Sequence, residues 1–237
     1  MNPALKVLVS SLILAAATGV AAFPVNLESI SGSFGNASGG QVSGEGTSSI
    51  RWGIPDHYSA QSGYDFFGTS PITISDDQAF TLGTFSHINA PVTGDSLVSV
   101  DLNVELGFEG SHTAGGVFSF SHIETPNTAS NPLQFCLFGH CWVFGDLRNG
   151  PVDDAVTFDQ AVASNASFSF EGTLYSLELI GFANGTQAFY TAEKSVTSID
   201  LLARLSARQV PEPATLALLG LGLVGMAIAA RRSNKRD

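Results

Sequence analysis

The chain has 237 residues and a formal charge of −11, from 10 Lys+Arg against 21 Asp+Glu, with 13% charged and 44% hydrophobic residues. The charged share is about half that of an ordinary soluble domain, which argues against a coiled coil or helical bundle, whose wet faces need Glu, Lys and Arg. The acidic balance lacks the basic footprint of a nucleic-acid binder, and the apolar content excludes charge-driven disorder; 25 Gly and 17 Phe suit short strands and tight turns.

Residues 1–22 read as a secretory signal peptide. Lys6 precedes an apolar run that ends in small residues, Thr18-Gly19-Val20-Ala21-Ala22, which suits cleavage before Phe23. Residues 23–209 are expected to form one all-β ectodomain, an antiparallel β-sandwich of jelly-roll-like kind. Between residues 23 and 210, five cations and 19 acids leave a net charge of −14, a surface that resists anionic lipid and nucleic acid. The Gly/Ser-rich stretch 31–49 is punctuated by Phe34, Val42 and Ile50, which favours ordered strands over a linker.

Residues 80–85 form the next predicted strand. The clearest one is 98–109, where Val98, Val100, Leu102, Val104, Leu106 and Phe108 alternate with polar residues or glycine. Period 2 means one dry face and one wet face, and hence an antiparallel, half-solvated sheet. Residues 117–123 are expected to pair with that strand across a loop containing Gly115-Gly116. Further strands are predicted at 155–158 and 199–205, and 167–170 with 173–180 flank the hairpin signal Glu171-Gly172.

Cys136 and Cys141, the only cysteines, are expected to form a disulfide in an oxidising periplasm. A metal would need more ligands than His140 adds to them. Of the other histidines, His112 and His122 are placed to approach each other across the proposed hairpin, but a metal site needs a third ligand on the same face. The expectation is therefore structural or surface histidines and no cofactor. Asp76-Asp77 and Asp153-Asp154 read as solvated turns, since no Asp-x-Asp-x-Asp-Gly calcium loop is present. Trp52, Tyr58 and Tyr64 are read as core residues before sugar-stacking ones. Neither G-x-S-x-G nor H-E-x-x-H occurs, so no enzymatic activity is expected; a triad or a carboxylate pair assembled from distant loops stays open.

The last segment, 210–237, opens with Val210, Pro211, Glu212 and Pro213. Residues 214–230 carry no charge; as a helix they span about 26 Å, near the lower limit for crossing the hydrocarbon core. Pro213 suits the start of that helix. Arg231, Arg232, Lys235 and Arg236 form a basic stop-transfer tail that should stay cytoplasmic. Gly220-Leu221-Gly222-Leu223-Val224-Gly225 satisfies G-x-G-x-x-G, but it follows no strand, so it reads as a smooth helix face and not as a dinucleotide loop.

This order of Pro-Glu-Pro, apolar helix and basic tail resembles the PEP-CTERM sorting signal of Gram-negative bacteria. The resemblance implies processing by an exosortase near Pro211-Glu212-Pro213, with the chain held transiently in the inner membrane and then placed at the surface or in the extracellular matrix. It also implies a setting of exopolysaccharide and biofilm production.

Within the ectodomain, Ser86-His87-Ile88-Asn89 resembles the Thr-His-x-Asn hallmark of the THxN family, also described as choice-of-anchor K. The segments 44–53, 154–158 and 175–182 are similar to other parts of that family in the same order. The resemblance carries no established activity. Ser86, His87 and Asn89 are read as a structural corner, in which His and Asn bond backbone groups before Pro91, ahead of a ligand site. The expected role is structural or adhesive, with exopolysaccharide as the partner; the alternative is a surface hydrolase acting on polysaccharide or ester.

Overall fold

The structure, a computed structural model, describes residues 22–55, 60–125, 133–137, 140–144 and 153–210, with positions 222, 225 and 226 helical. For 133–137 and 140–144 it describes the backbone alone. In chain order the strands are β1 (Val25–Gly39), β2 (Val42–Ser43), β3 (Ser49–Trp52), β4 (Ile54–Pro55), β5 (Ser62–Gly68), β6 (Ile72–Ile74), β7 (Ala79–Asn89), β8 (Val92–Thr93) and β9 (Leu97–Phe108). They continue with β10 (His112–Ile123), β11 (Leu133–Leu137), β12 (His140–Phe144), β13 (Asp154–Asn165), β14 (Ser167–Phe170), β15 (Thr173–Phe182), β16 (Ala188–Thr191) and β17 (Ser195–Gln209).

The pairings are antiparallel throughout, as the half-solvated alternation predicts. One six-stranded sheet runs β16-β13-β10-β9-β1-β6 and a seven-stranded sheet runs β14-β15-β17-β7-β5-β3-β2. Two small ladders, β4 with β8 and β11 with β12, stand apart. The chain changes sheet repeatedly near its end, from β13 to β15 to β16 to β17.

Each long strand turns every second residue inward, and the inward rings of the two sheets meet. Phe85 on β7 stacks on Phe120 of β10 with centroids 4.6 Å apart. Phe34 of β1 approaches Tyr64 of β5 at 6.2 Å, and Phe108 of β9 approaches Phe168 of β14 at 4.7 Å. This aromatic seam accounts for the many phenylalanines: large rings fill the space between two sheets with few residues.

Strand β9 matches the predicted strand within one residue, with one difference in facing. Val98 is exposed and Leu97 is buried. The pairing with β1 shifts register between Gly35 and Gly39, and such a bulge reverses the facing of the residues beyond it. The predicted hairpin also differs. The turn into β10 is a short 3₁₀ segment, Glu109–Ser111, and Gly115-Gly116 lie inside β10. A Cβ on Gly116 would stand 2.3 Å from the Val162 carbonyl oxygen on β13, so glycine there permits close approach of backbones and is no turn signal. By contrast Glu171 and Gly172, with φ of 47° and 75°, do turn the hairpin between β14 and β15, in the left-handed region that a two-residue loop demands.

Among the described residues no helix is long and apolar enough to cross a membrane. The expected span 214–230 lies outside them except for helical Gly222, Gly225 and Met226. Residues 1–21, Pro211, Glu212, Pro213 and the tail with Arg231, Arg232, Lys235 and Arg236 lie outside them as well.

Candidate functional site

Beyond the Phe85–Phe120 pair the aromatic seam becomes polar. Period 2 places His87 two residues after Phe85 on β7, and His122 two residues after Phe120 on β10, so both imidazoles point between the sheets. Their centroids are 5.2 Å apart. Trp52 at the end of β3 stacks parallel to His87 at 6.1 Å, and Tyr64 of β5 closes the side at 5.2 Å from His87. Asp154, the first residue of β13, and Glu124, just after β10, bring carboxylates to the same place. Glu193, between β16 and β17, adds a third.

The hydrogen bonds hold the rim of this cluster and leave its middle open. Tyr64 Oη lies 2.6 Å from His122 Nδ1. The other ring nitrogen, Nε2, is 3.3 Å from Glu124 Oε2 and 4.0 Å from Asp154 Oδ2. Ser96 donates to Glu124 Oε2 at 2.9 Å, and the Trp52 indole N–H donates to it at 3.3 Å. Thr125 donates its backbone N–H and its hydroxyl to Asp154 Oδ1, at 2.8 and 2.9 Å. Asn89 donates to the Thr191 carbonyl at 2.9 Å.

Among the described residues, nine buried side-chain polar atoms have no hydrogen-bond partner, and eight of them belong to His87, Asn89, Glu124, Asp154, Thr191 and Glu193. Both ring nitrogens of His87, Asp154 Oδ2 and Glu124 Oε1 are in that group. Each such atom costs about 1–3 kcal/mol in desolvation, so their gathering in one place is a large local expense in an otherwise apolar interior.

Burial, and then His122, hold the His87 imidazole well below its ordinary value, so it is a neutral ring with a free lone pair. Burial, followed by the charge of Glu124, raises Asp154 to about 8, against the pull of its bonds from Thr125. Burial raises Glu193, helped by Glu124. Burial also works to raise Glu124, but the bond and charge of His122, with the bonds of Ser96 and Trp52, outweigh it and lower that group. Burial, then Asp154 and Glu124, push the Tyr64 hydroxyl well up. Chemically the cluster gathers imidazole and carboxylate donor atoms in one place. His87, His122 and Asp154 each offer a ligand atom, all within 4.8 Å of one another, and so do Glu124, Asp154 and Glu193.

Of the predicted hallmark residues, His87 and Asn89 face inward and Ser86 faces out, where it bonds Ser198 at 2.8 Å. Asn89 holds a backbone carbonyl, as a structural corner would, but His87 bonds no backbone group among the described residues. His122 meets His87 and not His112, which shares its strand and stacks on Phe168. Asp154 is wholly buried and is no solvated turn; Asp76 and Asp77 are exposed. Trp52 and Tyr64 are core residues. Tyr58 lies outside the described residues. Cys136 stands opposite Cys141 in the β11–β12 ladder, while their side chains lie outside the described ones.

A pattern in the sequence points to the cluster. Phe85-Ser86-His87-Ile88-Asn89-Ala90-Pro91 recurs as Phe120-Ser121-His122-Ile123-Glu124-Thr125-Pro126, that is, Phe-Ser-His-Ile-x-x-Pro twice. One copy sits on each sheet, and the facing copies bring together the Phe pair and the His pair. Asp154 and Glu193 carry no comparable signal, because topology alone brings them in. A surface groove lined by Gly39, Gly40, Asp95 and Ser96 reaches His122 and Glu124.

No curated protein matches the chain. Residues 209–233 match the family model of the PEP-CTERM protein-sorting motif, so the chain carries the signal of an exosortase-sorted protein exported to the cell envelope or surface.

Proposed function

We propose that this protein is a structural or adhesive component of the exopolysaccharide or biofilm layer, with a jelly-roll-like ectodomain of the THxN (choice-of-anchor K) kind. The sorting motif at 209–233 carries the reading, because it fixes an exosortase as the processing partner. Residues 214–230 would anchor the chain in the inner membrane until processing near Pro211-Glu212-Pro213 passes it to the surface or matrix. The long antiparallel strands support a load-bearing role: β7, β9, β10 and β17 each pair with a neighbour on both sides, which ties up their backbone groups. For carbohydrate, a second groove lined by Ser31, Ser33, Asn103, Glu105 and Asn165 offers polar partners for hydroxyls, and Phe67 stands exposed beside it.

The test replaces Pro211, Glu212 and Pro213 with alanine and measures the mass of the exported protein. The variant should keep the C-terminal segment that the parent loses; equal masses would refute the sorting claim. A glycan array on the exported protein tests the adhesive role, and specific glycans that lose binding in a Phe67→Ala variant are the expected result.

A second reading, a surface hydrolase, is favoured by the groove that reaches His122 beside Glu124 and the Ser96 hydroxyl. Against a histidine-activated serine, Ser96 donates to the Glu124 carboxylate and not to an imidazole among the described residues. Turnover of ester or polysaccharide substrates that is abolished by Ser96→Ala would establish that reading.

A further inference from the structure

We propose that His87, His122 and Asp154, completed by Glu124 and Glu193, form a binding site for a divalent transition-metal ion of the zinc class, which clamps the two sheets together. This goes beyond the proposed surface role and does not depend on it. His87 stands on β7 of the seven-stranded sheet, while His122 and Asp154 stand on β10 and β13 of the six-stranded one. An ion bound by all three ties the sheets directly.

Four observations carry the assignment. First, His87 is fully buried, and neither of its ring nitrogens has a partner among the described residues. A histidine packed for shape alone would be expected to satisfy at least one of them. Second, the ligand atoms of His87, His122 and Asp154 already lie within 4.8 Å of one another. Ligands held at about 2.0–2.1 Å in a tetrahedral zinc site stand about 3.3 Å apart, so modest side-chain rotations close the set. Third, the candidate ligands are themselves held from behind. Tyr64 meets His122 Nδ1, which leaves Nε2 to face Glu124 and Asp154, and Thr125 fixes Asp154 through Oδ1, which leaves Oδ2 free. Such bonds orient metal ligands and set their tautomer. Fourth, the repeated Phe-Ser-His-Ile-x-x-Pro segment delivers one imidazole from each sheet.

The donor set selects the ion. Two imidazole nitrogens with carboxylate oxygens suit zinc, or a similar first-row ion. Calcium takes oxygen ligands only and would leave both imidazoles unused. The −14 charge of residues 23–210 adds a general attraction for cations. With His87, His122 and Asp154 all buried, the site is of the closed, structural type.

The test uses the full-length chain, stripped with a chelator and titrated with Zn²⁺ alone, and then with Ca²⁺ alone. The expected result is one equivalent of zinc by calorimetry and elemental analysis. At a free zinc concentration of 100 Kd, the folded-to-unfolded ratio should rise about 100-fold, read as an upward shift in Tm. His87→Leu and Asp154→Asn should each weaken zinc binding at least 100-fold, while His112→Ala leaves it unchanged. His87→Leu is chosen because it exchanges an unpartnered buried ring for an apolar group and should fold. If either variant fails to fold, X-ray absorption of the zinc-loaded parent replaces it, and two imidazole ligands are expected. Failure of the parent to bind zinc, preference for calcium, unchanged affinity in His87→Leu, or a spectrum without two imidazoles would each overturn the proposal.

Discussion

Tyr64→Phe removes one atom from the wall of the polar cluster and leaves its packing alone. The ring of Tyr64 is fully buried, with Trp52 at 4.8 Å and Phe85 at 4.9 Å, and phenylalanine keeps those contacts. What is lost is the 2.6 Å bond to His122 Nδ1. The nitrogen left behind is buried, and an orphaned buried polar group costs about 1–3 kcal/mol. The variant no longer has a hydroxyl to desolvate, which offsets part of this, so a loss of about 1–2 kcal/mol is expected. For a domain of this size that lowers Tm by about 2–8 °C. Urea denaturation of the metal-free protein should show a lower midpoint at unchanged slope. The same substitution made in a His122→Leu background should be near neutral, because the hydroxyl then has no partner to lose, and the double-mutant cycle should give a coupling of about 1 kcal/mol. A single variant within about 0.5 kcal/mol of the parent, or full additivity with His122→Leu, would refute the bond and with it the orientation assigned to His122.

Four further outcomes are expected. Phe85→Ala, at the ring contact between the sheets, should cost about 3–5 kcal/mol in denaturant melts, against under about 1.5 kcal/mol for Phe85→Leu; similar values for the two would mean that the aromatic seam does not join the sheets. In the metal-free protein, His87 stays neutral while the unfolded chain takes up its proton near pH 6.5, so stability should fall as pH drops below that value. Asp154 acts in the opposite sense: its folded value of about 8 against 3.8 means that stability is present below about pH 4 and lost as pH rises to 8, a slope that Asp154→Asn should flatten. Thiol labelling of the exported protein should find Cys136 and Cys141 unreactive until reduced; free thiols would remove the disulfide from the account.

The strands were readable because their cause is local. Residues 98–109 alternate without interruption, and the Glu171-Gly172 turn states its own geometry. The bulge between Gly35 and Gly39 was not readable, because it arises from how two strands share hydrogen bonds, and it put Leu97 inside in place of Val98. Gly115-Gly116 misled for a related reason: a glycine that makes room for a neighbouring backbone looks like one that makes a turn. The polar cluster was half visible. His87 and His122 lie in a repeated segment that a search for internal similarity finds, whereas Asp154 comes from a strand more than 30 residues further on and reads locally as one of two adjacent acids. Its burial is a consequence of β13 pairing with β10 and β16, which no spacing records.

The most direct measurement is anomalous diffraction at the zinc edge from crystals of the zinc-saturated protein. The account predicts a single strong peak between β7, β10 and β13, about 2.0–2.1 Å from a nitrogen of His87, from Nε2 of His122 and from an oxygen of Asp154. Zinc bound elsewhere, with His87 still without a partner, would contradict it.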